Sequence, residues 1–548
     1  MKLVTAAEMK KIEQKAEELE VTTSELMLNA GYSVFTALTR LNQFNPDLEG
    51  NDLEDGLVVV LAGAGNNGGD AMVIANLLKQ EFSEAEIKIY FHKRPRPEDG
   101  FSDKLTYTEA EEQEGQDLSD EVAFDAFFMD LQEAVLVIDG LLGSGLSRKV
   151  TGELAEIIKT VNEAREARRF DPTPLFVTAI DVPSGLNSDS GEVMGRAIQA
   201  DLTVTLGLPK RGLYNYKAVE YSGAISLGDI GLPEELLEEL EEQVEKEFAP
   251  ALITATDVRR WLPPRPLTAH KGTFGKLMVV SGSEEYLGAP YLCTVAAMRA
   301  GAGLVTLASS RNVIEVMASR SSENTYFELK LPVREEESVL PIFEQRLGNY
   351  QGLLLGPGLG EFGWKQGFVL SLDNTQLLKV VIDADGLNFL ARTPDWWEDL
   401  VAPGNILTPH PAELARLMES DVPTIEADRI KSAREAAKKF KQVVILKGAY
   451  TVVAAPDGRI RINPAGNPAL ATAGSGDVLG GICAGLATQA ARLPNYDAFK
   501  IACCAVYLHA MAGELARREF GDAGVLAGDL LPLIPKAISA LKDGDSLE

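Results

Sequence analysis

The chain has 548 residues, 45% of them hydrophobic and 24% charged, with a formal net charge of −29. That length exceeds what one core serves and predicts two α/β domains, while the negative charge excludes nucleic acid and anionic membrane as partners, because both repel such a surface. No apolar run approaches the ~20 residues that span a bilayer, and Met1 to Glu20 is charged and amphipathic with no signal-peptide core, so a cytoplasmic location is expected.

In the first half, Thr5-Ala-Ala-Glu-Met9 opens one helix, and Ser24 is expected to cap the next. Gly56 to Gly63 is a short continuous apolar run with β-branched residues, which predicts a buried parallel strand. It runs into Gly63-Ala-Gly-Asn-Asn-Gly-Gly-Asp70, with a helix expected from Ala71 to Leu78. Gly63, Gly65 and Gly68 fit the G-x-G-x-x-G spacing of a dinucleotide turn. The acidic ribose partner does not follow: the next strand, Ile87 to Phe91, ends in His92 and Lys93. That weakens a dehydrogenase reading.

Val135 to Asp139 leads into Gly140-Leu-Leu-Gly-Ser-Gly145, and Leu175 to Asp181 into Val182-Pro-Ser-Gly185. Asp70, Asp139 and Asp181 thus fall at or just past strand C-termini, the edge where open α/β sheets bind ligands. Any one alone reads as a loop cap; three beside glycine-rich turns favour a site. Further strands are expected at Leu202 to Leu206 and Ala224 to Leu227. Leu232 to Phe248 carries only a narrow stripe, Leu236, Leu240 and Val244, on a Glu-rich segment, which predicts a solvated connecting helix started by Pro233.

The second half repeats strand, loop and helix. Lys276 to Val280 precedes the turn Ser281-Gly-Ser283, and Gly288-Ala-Pro290 starts a helix that Gly301-Ala-Gly303 ends. Gly352 to Gly360, Val380 to Asp385 and Asn405 to His410 follow the same pattern, predicting a second parallel sheet flanked by helices. Val443 to Val453 and Ala454 to Ile462 read as a strand, a Lys447-Gly448 turn and a hairpin around Pro456-Asp-Gly458. Asn467 to Asp477 is then a glycine-rich turn feeding an apolar helix, an anion site by its free N–H groups and helix dipole. Asp477 is out of place there, unless it takes a proton or reaches a metal, as a phosphoryl-transfer base does. Its other reading is a helix cap. Cys293, Cys483, Cys503 and Cys504 lie in apolar helical stretches without metal-type spacing, so buried, reduced thiols are expected.

Asn66-Asn-Gly-Gly-Asp70 and Asp181-Val-Pro-Ser-Gly185 resemble the two motifs of the NAD(P)H-hydrate epimerase domain, a Rossmann-like fold. Ala71 replaces the last glycine of the first motif, a change expected to tighten the loop. The resemblance implies a potassium ion held by Asn67, Asp139 and Ser184. It implies a hydrate site at Asn66, Asn67, Gly68, Gly69, Asp70, Gly143, Ser144, Gly145 and Asp181, with Asp181 the candidate acid–base group.

Thr408-Pro-His-Pro-Ala-Glu413 and Gly474-Ser-Gly-Asp477 resemble the NAD(P)H-hydrate dehydratases, a branch of the ribokinase-like kinases, although Ala412 replaces the family glycine. His270-Lys-Gly-Thr-Phe-Gly275 resembles the entry of the same domain and is assigned no chemistry. The resemblance implies ADP and Mg²⁺, with the nucleotide held by Lys447, Gly448, Ala449, Tyr450 and Thr451 together with Gly474, Ser475 and Gly476. It implies hydrate contacts from Ala289, Gly358, Gly360 and His410, with Asp477 as base. His410, between two prolines, also reads as a turn brace.

The α/β chain is therefore expected to divide into a Rossmann-like three-layer sandwich over residues 1–231, an acidic helical linker over 232–250 and a ribokinase-like domain over 251–548. Fused in this way, the halves resemble the bifunctional repair enzymes of hydrated NADH and NADPH. Small-molecule substrates and a homo-oligomer are expected. The alternative is a small-molecule kinase carrying a non-catalytic Rossmann-like scaffold.

Overall fold

Continuous apolar runs such as Leu57–Gly63 bury both faces, as the centre of a parallel sheet requires. The computed structural model describes residues 1–40, 53, 56–93, 116–329, 346–360, 378–399 and 404–547, which fall into two units, Met1–Glu247 and Phe248–Glu548.

The first unit runs α1 (Ala6–Glu18), α2 (Thr23–Leu38), β1 (Leu57–Gly63), α3 (Asn66–Glu81), β2 (Glu86–His92), β3 (Gln116–Asp117), α4 (Glu121–Glu133), β4 (Leu136–Gly140), α5 (Glu153–Ala167), β5 (Phe176–Ile180), β6 (Leu202–Leu206), α6 (Val219–Ser222), β7 (Ala224–Gly228) and α7 (Glu234–Lys246). Its strands form one parallel sheet in the order β3-β2-β1-β4-β5-β6-β7. Alternation along β1 feeds two cores. Val58 and Val60 pack with α1, α2 and α3 residues such as Ile12, Val34 and Ile74, and Val59 and Leu61 pack with Phe127 of α4 and Ile158 of α5. The three-layer sandwich follows. The strand order reverses between β1 and β4, which opens a crevice beyond their C-terminal ends.

Three local expectations change. Thr22, not Ser24, caps α2, in a reciprocal capping box with Glu25. Helix α3 starts at Asn66 rather than Ala71: Gly65 is its extended N-cap, and the N–H groups of Gly68 and Gly69 turn back to Gly65 O at 3.1 and 3.4 Å. Ala71 therefore lies inside the helix and does not tighten a loop. It packs on β4, where a Cβ added to Gly140 would stand 2.7 Å from the Ala71 Cβ. Finally, α7 is not a solvated connector. Leu236, Leu240 and Val244 are buried, and Lys15 of α1 pairs with Glu239 at 2.8 Å.

The second unit runs β8 (Ala251–Leu252), α8 (Ala255–Trp261), β9 (Lys276–Val280), α9 (Ala289–Arg299), β10 (Leu304–Ser309), α10 (Arg311–Ala318), β11 (Thr325–Glu328), β12 (Gly352–Leu355), β13 (Lys379–Ile382), α11 (Asp385–Ala391), α12 (Trp396–Asp399), β14 (Ile406–Leu407), α13 (Pro411–Met418), α14 (Val422–Ala427), α15 (Arg429–Phe440), β15 (Val443–Leu446), β16 (Val452–Ala454), β17 (Ile460–Ile462), α16 (Ser475–Ala490), α17 (Ala498–Phe520) and α18 (Ala527–Asp543). The sheet order is β11-β10-β9-β12-β13-β14-β15-β16-β17-β8. It is parallel from β11 to β15, and the expected hairpin supplies antiparallel β16 and β17. Leu277, Val279, Leu354 and Ile445 bury one face under α9, α16, α17 and α18. Contrary to the expectation that no apolar run approaches a bilayer's span, helix α17 is long and apolar enough to cross one by length and composition, but 78% of its most apolar window is buried in this core. All four cysteines are buried and unpaired, as expected.

Candidate active sites

In the first unit a cleft of about 1180 Å³ opens where the strand order reverses. Asn66, Asn67, Asp70, Gly143, Ser144, Gly145 and Asp181 all line it. Gly68 and Gly69 are buried within the first turn of α3. Beside the cleft, Asp139 is fully buried at the end of β4. Its Oδ1 accepts from Ser184 Oγ at 2.6 Å and Leu141 N–H at 3.2 Å, and its Oδ2 from Ser184 N–H at 2.7 Å. Burial still pushes this carboxyl up to about 6. Asn67 Nδ2 donates to Leu142 O at 2.9 Å and Ile180 O at 2.8 Å, tying α3 to the β4 and β5 loops. Asn67, Asp139 and Ser184 thus gather around one loop junction with oxygen ligands only. That donor set, with one buried carboxylate among it, could hold a hard cation. Among the described residues no cluster of three His, Cys, Asp or Glu side chains could hold a metal.

Asp181 follows β5 with φ +64, in the left-handed region that non-glycine residues rarely adopt. Lys210, 1% exposed, places its ammonium 2.5 Å from Asp181 Oδ1. Glu13 of α1 lines the same cleft, and burial pushes its carboxyl up.

In the second unit, β9, β12, β13, β14 and β15 all deliver loops to one sheet edge. Gly474, at φ +90, turns the chain into α16, and a Cβ there would stand 2.5 Å from Leu292 Cδ1. Asp477 lies in the first turn of α16. Burial first, then the negative charges of Asp383 and Asp385, push its carboxyl up to about 7, against the pull of Lys447. Lys447, just past β15, lies 2.7 Å from Asp383 Oδ1 and 3.8 Å from Glu413 Oε2. Burial works against the Lys447 charge, but Asp383 and Glu413 outweigh it and hold the ammonium above its ordinary value. Its charge is therefore spent within the protein, while Thr451 Oγ1 closes the loop on Gly448 O at 2.8 Å. Arg429 pins that loop through Leu446 O and Lys447 O, both at 3.0 Å.

Of the expected hydrate contacts, Ala289 and Gly358 lie together. A Cβ on Gly358 would stand 2.9 Å from the Ala289 Cβ, and Gly360 N–H donates to Asp385 Oδ2 at 2.8 Å. His410 is the N-cap of α13: Nδ1 accepts from Ala412 N–H at 3.2 Å and Glu413 N–H at 3.4 Å, and Glu413 returns a bond to His410 N–H at 2.8 Å. Burial, with Lys447 and Arg416 nearby, pushes the imidazole down, so it is neutral with Nε2 as its donor. The turn-brace reading of His410 holds, and its Nε2 stands 3.4 Å from Glu413 Oε1. The arrangement offers a near-neutral carboxyl beside the N-terminus of a 16-residue helix, which suits proton removal next to a phosphate.

Residues 277–536 match the family model described as NAD(P)H-hydrate dehydratase, and residues 23–212 match that of the YjeF-related protein N-terminus. The chain is 36% identical to the bifunctional NAD(P)H-hydrate repair enzyme Nnr of Moorella thermoacetica, over 99% of this chain and 98% of that protein. The chain belongs to the bifunctional NAD(P)H-hydrate repair enzymes. The enzyme of the same name from Escherichia coli is 31% identical over 96% of this chain and 92% of its own length. Among solved structures, the ADP/ATP-dependent NAD(P)H-hydrate dehydratase of Bacillus subtilis, co-crystallised with ATP and Mg²⁺, is 31% identical; the match covers 53% of this chain and 98% of that one, with a TM-score of 0.45.

Sequence reasoning passed over several residues that lie beside these candidate sites. Asp383 and Asp385 sit at a strand C-terminus, the same signal that drew attention to Asp70, Asp139 and Asp181, and could have been found that way. Glu413 stood inside a quoted motif without a role. Lys210 and His509 carried no local signal. His509 reaches Ser475 Oγ at 3.1 Å from the middle of α17, a meeting only the tertiary fold creates.

Proposed function

We propose that the first unit interconverts the R and S forms of NADH or NADPH hydrated at C6, and that the second returns the S form to NAD(P)H at the expense of ADP, giving AMP and phosphate. The observation that carries this reading is Asp477, a carboxyl pushed up to about 7 within the first turn after a glycine-rich anion site. Hydroxide is a poor leaving group and phosphate a good one. Asp477 accepts the C6 hydroxyl proton while that oxygen attacks the β-phosphate of ADP. The N–H groups of Gly474 and Gly476 stabilise the charge that develops; that of Ser475 is turned to Thr472 O at 3.3 Å. Phosphate then departs, pushed by the ring-nitrogen lone pair, and loss of a C5 proton restores the double bond.

Lys447, Gly448, Ala449, Tyr450 and Thr451 hold the nucleotide chiefly through the backbone of their loop, and Ala289, Gly358, Gly360 and His410 hold the hydrate. When bound with the nucleotide, Mg²⁺ supplies further neutralisation of the pyrophosphate. In the first unit, Asn67, Asp139 and Ser184 would hold K⁺, which would offset the buried Asp139 charge, while Asp181 serves as acid–base group. Residues 1–231 carry the first activity, with α7 bracing them, and 251–548 the second. The chain is proposed to act as a cytoplasmic homo-oligomer, which sedimentation would check. The deciding experiment supplies mixed R and S hydrates with ADP or ATP and follows NADH absorbance. No NADH from either nucleotide would end the reading.

A further inference from the structure

The ion pair and the hydrogen bond that hold the Asp181 carboxylate among the described residues both fall on one oxygen. Lys210 Nζ and the Leu206 N–H, at 3.2 Å, both meet Oδ1. Lys210 is itself fixed, since its ammonium also donates to Leu206 O. Asp181 lines the cleft, so Oδ2 is the oxygen left to a ligand. Its φ of +64 is the kind of backbone strain that persists where surroundings over-determine a functional side chain. Glu13 shares the Lys210 charge from the α1 side.

The hydrate carries its hydroxyl and the ring nitrogen N1 on the same carbon, C6. Inversion there must break either C6–O or C6–N1. Loss of hydroxide would put a cation at N1 and C6 beside a buried ammonium, and that cation could lose a C5 proton to give NAD(P)H with no nucleotide consumed. Ring opening needs only a proton shuttle. Given the epimerase reading of this unit, we propose that Lys210 is a positioning residue: it fixes the Asp181 carboxylate through Oδ1, so that Oδ2 moves one proton between the C6 oxygen and N1 as the ring opens and recloses.

The step balances. Oδ2 takes the hydroxyl proton, the O–H pair becomes the C6=O π bond, C6–N1 breaks with its pair passing to N1, and Oδ2 returns the proton to N1. Rotation about C5–C6 presents the other face, and the same steps in reverse close the ring. No atom is gained or lost, and nothing is oxidised.

The test uses the full chain without nucleotide, starting from R hydrate labelled with ¹⁸O at C6. The unaltered protein should form S hydrate with the label retained; one label lost per turnover would overturn ring opening. Lys210→Met should lower kcat about 100-fold, the lower end for a disabled acid–base group, with KM within about threefold. Lys210→Arg, which keeps a cation, should recover about tenfold of that loss. Dehydration of S hydrate with ADP reports that each variant chain is intact, and thermal unfolding checks its first unit. Full kcat in folded Lys210→Met, or no recovery in folded Lys210→Arg, would overturn the positioning role. If Lys210→Met does not fold, the label experiment and Lys210→Arg decide. Absence of any epimerisation by the unaltered protein would instead overturn the epimerase reading itself.

Discussion

The Lys447 ammonium lies 2.7 Å from the Asp383 carboxylate, and the pair sits against the turn that carries Asp477: a Cβ on Gly476 would stand 3.5 Å from Lys447 Nζ. Asp383 and Asp385 raise the Asp477 carboxyl, and Lys447 restrains it. Lys447→Met removes the restraint and strands Asp383. Breaking a buried pair on one side costs about 3–5 kcal/mol. The variant should therefore unfold at lower temperature, and the pH at which dehydration reaches half its maximum should move up. An unchanged pH profile in a folded variant would separate Lys447 from Asp477.

Asp477→Asn keeps the shape and removes the base. Dehydration should fall by about 10²–10⁴-fold, with nucleotide binding largely kept; near-normal turnover would remove Asp477 from the mechanism. In the unaltered protein the rate should climb with pH around a midpoint near 7, where the carboxyl loses its proton. The same shift bears on stability. The folded value lies above the ordinary 3.8, so the contribution of the protonated form is complete below that pH and is lost as pH rises through about 7. Asn should thus raise Tm at pH 8 more than at pH 5, which calorimetry at the two pH values reads directly.

Gly140 and Ala71 make a packing prediction. A Cβ on Gly140 would meet the Ala71 Cβ at 2.7 Å, Asn67 O at 2.8 Å and Leu61 O at 3.0 Å. Two of those neighbours are backbone, which cannot step aside. Gly140→Ala should destabilise the first unit by about 1–3 kcal/mol or more and abolish epimerisation by displacing Asn67. Ala71→Gly in the same chain should not rescue it, because the carbonyl contacts remain. Rescue would mean that only the two side chains conflict.

Much of this was legible in the chain. Continuous β-branched runs such as Leu57–Gly63 declare buried parallel strands, and glycine-rich ends declare the edge where ligands bind. The boundaries were harder. The Asn66 to Asp70 stretch reads as loop by composition, yet Gly65 can cap it and its N–H groups turn inward, so tertiary contacts to β4 and β5 make it helix. The α7 stripe was too narrow to predict burial, but three residues suffice when a neighbouring helix lies ready. Charge partners were the least legible: Lys210 and Asp181 are 29 positions apart, and Lys447 and Asp383 are 64 apart. Nothing in linear spacing joins them.

The nucleotide choice is a direct measurement. ADP should support turnover and yield AMP, with ATP supporting little or none. Chromatography of the nucleotide products decides; ADP accumulating from ATP at a comparable rate would replace ADP as co-substrate.

The two activities should be separable, and the fold says where to cut. Each unit owns its sheet, its core and its polar site, so each should fold alone. A cut near Leu232 would strip α7 from the first unit and expose the faces that bury Leu236 and Leu240, so the fragment should end at Glu247. Residues 1–247 should epimerise the hydrate and never form NADH. Residues 248–548 should dehydrate the S form at close to the intact rate. Given a mixture of epimers, that second fragment should stop once the S form is exhausted, then creep at the spontaneous epimerisation rate. Asp181→Asn in the full chain should trace the same biphasic curve, because it disables the first unit without touching the second. A fragment of residues 1–231 should be less stable than 1–247 by several degrees in Tm, the signature of the lost α7 contacts. If the second fragment alone consumed both epimers at one rate, the first unit would not be the epimerase, and its cleft would need another ligand.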